Sequence, residues 1–350
     1  MTESPADPLT AKLPAGFDVL ADDVALATEV AEALTQVEEE LLGSLASADE
    51  LVNASARYLA QAGGKRVRPL LTVLTSMLGN GIDDRVRRAA AVMEMTHLAT
   101  LYHDDVMDSA PVRRGAPAAH QVWGNSVAIL TGDLILARAS RLMSELGVEA
   151  SEIQAQTFER LVMGQLHETV GPREDEDAYA HYLRVIGDKT GSLVAAASRL
   201  GAHFGGCSAQ TIGMLQEYGE AVGVAFQLAD DVIDLTADAE SSGKTPGTDL
   251  REGVPTLPLL LLRQQAQDAS APQDQQDAVA LLAMLDADLS SDAALAQAVA
   301  AVVAHPVTEQ SWQVAHSWAE RAKQAIAELP ESTVKSALIA FADAVVEREG

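Results

Sequence analysis

With 51 acidic against 24 basic side chains in 350 residues, a formal net charge of −27, the chain is a poor partner for a phosphate backbone, which excludes nucleic-acid binding as its main activity. Hydrophobic residues make up 48% and aromatic residues only 4%, a balance that fits a globular helical protein better than a disordered or sheet-built one. Cys207 is the one cysteine, so an internal disulfide is excluded and a reducing, cytoplasmic setting is the expectation.

Met1 to Phe17 is polar, broken by Pro5, Pro8 and Pro14, and lacks the basic and apolar regions of a signal peptide; it reads as a loose tail. Residues 18–350 are expected to form a single all-α domain. Helical periodicity is plain in Val24 to Leu45, Arg85 to Leu101, Val127 to Leu146 and Thr211 to Leu235. Turn chemistry at Gly63-Gly64, Gly79-Asn80-Gly81, Gly147, Gly171-Pro172 and Gly205-Gly206 separates such segments, and strand signals are nearly absent. Three loops stand out: acidic Pro172 to Asp177, the Gly-, Ser-, Thr- and Pro-rich stretch Thr236 to Pro258, and the polar connector Gln267 to Gln276. The second has the length and place of a lid. The Ala-rich helices beyond the third carry no chemical signal and are expected to serve packing. The longest apolar run, Leu257 to Leu262, is too short to span a bilayer.

One short word occurs twice: Asp104-Asp105-Val106-Met107-Asp108 and Asp230-Asp231-Val232-Ile233-Asp234. On a helix its three carboxylates crowd one side, and like charges so close are destabilising. A divalent cation is the simplest compensation, and an oxygen-only set favours magnesium over zinc. A solvated acidic face is the bland alternative, but apolar residues flank both words closely. The alternating oxygen ligands of a calcium-binding loop are missing.

Basic residues are few, so their clustering carries information. Three follow two glycines in Gly63-Gly64-Lys65-Arg66-Val67-Arg68-Pro69, and Arg113-Arg114-Gly115 comes after the first Asp word. Lys189-Thr190-Gly191 and Gly243-Lys244 add cations beside glycine. Glycines let backbone amides approach an anion and arginine grips phosphate bidentately, so cations with metal-binding carboxylates describe a diphosphate site. Arg85, Arg87 and Arg88 after Asp83-Asp84 read as an ordinary charged helix start. Taken by itself, His97 reads as a core histidine; Gln227, one turn before Asp231, faces the site.

In this order, with Phe226-Gln227 before the second Asp word and Gly243-Lys244 through Asp249 after it, residues 30 to 260 resemble the trans-isoprenyl diphosphate synthases, the polyprenyl synthetase family. The resemblance implies an all-α bundle of many helices around a deep central cavity, usually a homodimer. It implies that Asp104, Asp108 and Asp230 bind Mg2+ directly, with Asp105, Asp231 and Asp234 in supporting roles. Arg113, Lys189, Thr190, Gln227 and Lys244 would hold an allylic diphosphate; Lys65, Arg68, His97 and Arg114 would hold isopentenyl diphosphate. The implied reaction ionises the allylic carbon–oxygen bond away from water, adds five carbons, loses a proton and repeats. Many members have a Lys where this chain has Val254, so one cation for the allylic diphosphate is missing.

Small residues Ala99, Thr100 and Thr96 stand on the helix before the first Asp word, where short-chain members carry a bulky aromatic. The expected product is therefore long, about C35 to C50, with Val92 and Met93 the first candidates to stop its growth. Release of such a product implies a peripheral membrane contact. The alternatives are a short-chain synthase making C15 or C20, a class I terpene cyclase, which usually carries a different second metal motif, and a non-catalytic subunit, which typically loses Asp or Arg ligands.

Overall fold

The computed structural model describes residues 16–236, 246–268 and 270–348. Aspartates start several of its helices. Asp23 accepts the Leu26 amide at the head of α1 (Val24–Leu45), Asp49 that of Val52 at α2 (Glu50–Gln61). Beyond α3 (Val67–Ser76), Asp83 accepts the Arg85 and Val86 amides at α4 (Asp84–Met107). Each bond satisfies N–H groups for which a helix has no internal partner. Part of the chain's acidity therefore builds helix starts.

A hairpin of two short strands, β1 (Val112–Arg113) and β2 (Ala116–Pro117), leads to α5 (Ala119–Trp123), α6 (Asn125–Leu146), α7 (Val148–Val170) and α8 (Ala178–Ile186). A π-helical turn, Gly187–Gly191, opens α9 (Ser192–Phe204), and α10 (Ala209–Thr236) follows. The chain continues through α11 (Thr248–Glu252), α12 (Leu257–Gln267), α13 (Pro272–Leu285), α14 (Asp292–Ala304), α15 (Pro306–Ala325) and α16 (Thr333–Ala344). The expected all-α class is what the chain adopts.

Helix α9 is the inner one, packed on α3, α4, α7 and α10. Backbones come close there: a Cβ at Gly219 of α10 would sit 2.7 Å from Ala195 Cα, and one at Gly223 2.8 Å from Gly191 Cα. Only glycine permits this approach, and it brings α10 against the π turn. The main apolar core draws on α1, α3, α4, α6, α9 and α10. A second cluster runs from Leu235 at the end of α10 through α12 to α15, and Leu261 packs on both.

Several expectations are corrected. The tail reading through residue 17 runs too far, because Phe17 is fully buried and stacks on Phe341 with ring centroids 4.7 Å apart. The Thr236 to Pro258 stretch is not all loop, since it contains α11 and the start of α12; residues 237–245, including Lys244, lie outside the described residues. The Gln267 to Gln276 connector is shorter, because Pro272, with no N–H to lose at a helix start, opens α13. Arg113 and Arg114 lie on a hairpin that periodicity did not reveal. Among the described residues no helix is long and apolar enough to cross a membrane.

Candidate active site

Both Asp words lie at helix C-terminal ends. Asp104 and Asp105 occupy the last turn of α4, Asp108 is its C-cap, and Asp230, Asp231 and Asp234 occupy the last two turns of α10. The helix dipole is negative there, so a carboxylate is favoured least at that end and a cation most. Burial, with Asp108 adding its charge, pushes the Asp104 carboxyl up to about 6 against the pull of Lys189. Asp105 points inward, fully buried. Its Oδ1 accepts from Arg113 Nε and pairs with the same guanidinium's NH2 group, each at 2.7 Å, while its Oδ2 has no partner. The hairpin turn delivers Arg113, with Arg114 at φ +54° and Gly115 at +75°.

At the second word Asp231 is buried, and its carboxyl too is pushed up to about 6 by that burial. Three donors hold it. Tyr182 Oη donates to Oδ2 at 2.5 Å, the Leu257 amide at the head of α12 donates to the same oxygen at 3.0 Å, and Gln227 Nε2 donates to Oδ1 at 3.3 Å. Asp234 Oδ2 accepts the Asp249 amide at 3.3 Å, securing the chain where it returns at α11. Asp230 Oδ1 accepts from Arg348 at 2.7 Å; that guanidinium lies 4.1 Å above the Phe226 ring. The C-terminal segment, expected to serve packing alone, thus reaches a candidate metal ligand.

The π turn is bonded to the second word and brings a cation whose charge acts on the first. Lys189 acts on Asp104 and is ion-paired with Glu168; its neighbour Thr190 donates to Gln227 Oε1 at 3.2 Å, and Gln227 continues to Asp231. Arg160 clamps the turn from α7, donating to Asp188 at 2.7 Å, to the Gly187 carbonyl at 3.2 Å and to both oxygens of Glu220. Gly164 fits the same helix to the turn, since a Cβ there would sit 2.9 Å from Lys189 Cγ.

The remaining cations gather at the α2–α3 junction. Arg66, at φ +49°, uses all five N–H groups: toward Glu38, Glu94 and the carbonyls of Ala60 and Gly63. It is committed to structure. Arg114 donates to the Leu59 and Gly63 carbonyls at the C-terminal end of α2 and stands 3.7 Å from Glu94. Arg68 is different: its Nε is buried without a hydrogen-bond partner. Burial, with Arg68, Arg114, Arg113 and Arg66 nearby, lowers the His97 imidazole well below its ordinary range, so at neutral pH it is uncharged and can donate one N–H. Lys65 is exposed beside this group. The sequence reading missed Glu94, Arg160, Tyr182 and Arg348.

The donor set fits a hard divalent cation. The carboxylates are oxygen-only, three of the group, Asp104, Asp105 and Asp231, are driven toward protonation by burial, and Asp105 keeps an unpartnered oxygen. Among the described residues no three acidic or imidazole side chains converge into one ready coordination cage. Thr96, Thr100 and Asp104 follow at four-residue intervals along α4. Thr96 and Ala99 are buried and Thr100 half-buried, and both threonine hydroxyls turn back to their own helix, to the Val92 and His97 carbonyls.

A sequence model of the family described as Polyprenyl synthetase matches residues 49–302. The chain belongs to the polyprenyl synthetase family. It is 45% identical over 337 residues to the nonaprenyl diphosphate synthase of Mycobacterium tuberculosis, an alignment covering 96% of this chain and 98% of that one. The crystal structure of polyprenyl synthase from Caulobacter crescentus, complexed with calcium and isoprenyl diphosphate, superposes with a TM-score of 0.82 at 34% identity, covering 96% and 99% of the two chains. That of geranylgeranyl pyrophosphate synthase from Corynebacterium glutamicum, also with calcium and isoprenyl diphosphate, gives 0.80 at 40% identity, covering 93% and 98%. As a polyprenyl synthetase, the chain is a trans-prenyltransferase with the all-α isoprenoid synthase fold.

Proposed function

We propose that this enzyme condenses isopentenyl diphosphate repeatedly with an allylic diphosphate, using Mg2+, to give an all-trans polyprenyl diphosphate of about C35 to C50. One observation carries the reading: the Gly187–Gly191 turn that bears Lys189 is hydrogen-bonded through Thr190 and Gln227 to Asp231 of the second Asp word. Asp104, Asp108 and Asp230 are the direct ligands, and Asp105, Asp231 and Asp234 support them. Magnesium, when bound, draws charge from the leaving diphosphate as a Lewis acid. Arg113, Lys189, Thr190, Gln227 and Lys244 hold the allylic diphosphate. Lys65, Arg68, His97 and Arg114 hold that of isopentenyl diphosphate, a role supported by the unpartnered Arg68 Nε and the neutral imidazole.

The helices are read as one domain that takes in Phe17 as well as the expected 18–350, because α10 and Leu261 contribute to both apolar clusters. A homodimer is supported by exposed apolar side chains on α5 to α7, Val122, Ile129, Leu130, Val162, Met163 and Leu166. The enzyme is placed in the cytoplasm, touching the membrane when its long product is handed on.

The test is incubation of the protein alone with farnesyl diphosphate, labelled isopentenyl diphosphate and Mg2+ or EDTA, followed by chromatography of the dephosphorylated products. Metal-dependent products of C35 to C50 are expected. With geranyl diphosphate as a parallel starter, products ending at C15 or C20 would make it a short-chain synthase, and no elongation of either starter would refute the reading. Replacing Asp104, Asp108 or Asp230 with Ala should each slow turnover at least a thousandfold, about 4 kcal/mol.

A further inference from the structure

We infer that Tyr182 is a positioning residue: its hydroxyl fixes the Asp231 carboxylate and thereby couples metal binding at the second Asp word to binding of the allylic diphosphate. The inference deepens the prenyl diphosphate synthase reading and rests on it.

The observation is a closed circuit of hydrogen bonds. Tyr182 on α8 donates to Asp231 Oδ2 at 2.5 Å. On the other side of that carboxylate Gln227 Nε2 donates to Oδ1 at 3.3 Å, and the Gln227 carbonyl accepts from Thr190 at 3.2 Å. Thr190 and Lys189 lie in the π turn that directly continues α8, so the circuit returns through the backbone to Tyr182. The two ends of one short segment, α8 and its turn, therefore grip the same carboxylate. One end carries the phenol; the other carries the candidate allylic-diphosphate cation.

The strength of each link decides the assignment. The Tyr182 bond is the shortest of the three on Asp231, and a phenol donating to an ionised, buried carboxylate makes a charge-assisted bond, roughly twice as strong as a neutral one. The Leu257 amide comes from a helix start and stays in place without the phenol. Without the hydroxyl, Oδ2 keeps that single donor and Oδ1 only the longer Gln227 bond, so the carboxylate is held less firmly. Asp230, adjacent on α10, and Gln227, one turn back, then lose their common reference. The effect should fall on the metal and the allylic diphosphate together. The isopentenyl diphosphate residues, at the α2–α3 junction and on α3, α4 and the β1–β2 turn, are outside the circuit.

Tyr182→Phe removes one oxygen and keeps the ring. The half-saturating Mg2+ concentration should rise about tenfold and the KM for farnesyl diphosphate several-fold, with the KM for isopentenyl diphosphate within twofold of wild type. Mn2+ binding to the substrate-free protein, followed by electron paramagnetic resonance, should weaken in parallel. Constants for metal and farnesyl diphosphate within twofold of wild type would overturn the inference. So would an equal rise in all three constants, the mark of general loosening. The Mn2+ titration needs no turnover, so it separates failure of this coupling from failure of the synthase reading.

Discussion

Glu94 shows how one residue can organise a site it was not expected to join. Its side chain is 2% exposed on α4, and Oε1 takes a 2.8 Å bond from Arg66 with Arg114 3.7 Å away. It is the negative charge facing Arg66, Arg68 and Arg114 together, and it raises the proton affinity of each while burial and mutual repulsion lower those of Arg68 and Arg114. Removing one partner of a buried ion pair leaves an uncompensated charge, so Glu94→Ala should lower stability by about 3 kcal/mol or more in urea unfolding. Glu38, the other partner of Arg66, has a side chain that is 38% exposed; Glu38→Ala should cost about 1 kcal/mol or less. Equal losses would mean that burial does not set the strength of this network. The two Asp words and the Lys65 to Arg68 run stood out as candidates because each is a short run of characteristic spacing, whereas His97 entered only through the family resemblance. Glu94, Tyr182, Arg160 and Arg348 were not, because their partners lie 28, 49, 60 and 118 residues away, and periodicity carries no information over such separations.

At the scale of elements, α1 was legible to both ends, since its apolar stripe is regular and Asp23 caps it. The α10 reading, Thr211 to Leu235, falls within two residues of both ends, but the π turn was not foreseen. A π turn differs from an α turn by one backbone hydrogen-bond step, which leaves no trace in apolar spacing. The functional element is α4, which carries Asp104 at one end and small residues behind it. A tail leaving the metals along α4 meets Thr100 first, one turn or about 5.4 Å from Asp104, and Thr96 a turn deeper. Both hydroxyls are bonded to carbonyls of their own helix, so each presents its methyl group to the neighbours. A large ring at Ala99 should close that route: Ala99→Tyr is expected to shorten the dephosphorylated product to C15 or C20 with total activity retained. An unchanged product distribution would place the tail elsewhere, against helices whose contribution single-chain periodicity does not disclose, α6 foremost because it packs most extensively on α4.

For the whole molecule, 51 acidic side chains against 24 basic make pH and divalent metal two aspects of one charge problem. Asp104 and Asp231 have folded-state carboxyls raised by burial from 3.8 to about 6. A raised acid favours folding in its protonated form, so this contribution is fully present below about 3.8 and lost as pH rises through about 6. For Asp231 alone, linkage gives a loss of about 1 kcal/mol between pH 5.5 and 7.5. His97 works in the opposite direction, since its imidazole is held neutral in the fold and protonation of the unfolded chain below about 6.5 draws stability away. The two trends oppose each other in the wild type, so the sharper measurement is a difference between variants. In EDTA, Tm of Asp231→Asn relative to wild type should rise from pH 5.5 to 7.5, because the neutral amide escapes the burial penalty that the carboxylate meets once ionised. With Asp104 as a magnesium ligand, as proposed, the metal acts oppositely: the Tm increase it gives the wild type should be large at pH 7.5 and small at pH 5.5, where a proton competes for the Asp104 carboxylate. A magnesium-induced increase as large at pH 5.5 as at 7.5 would show that the buried Asp104 carboxyl is not a group that meets the metal.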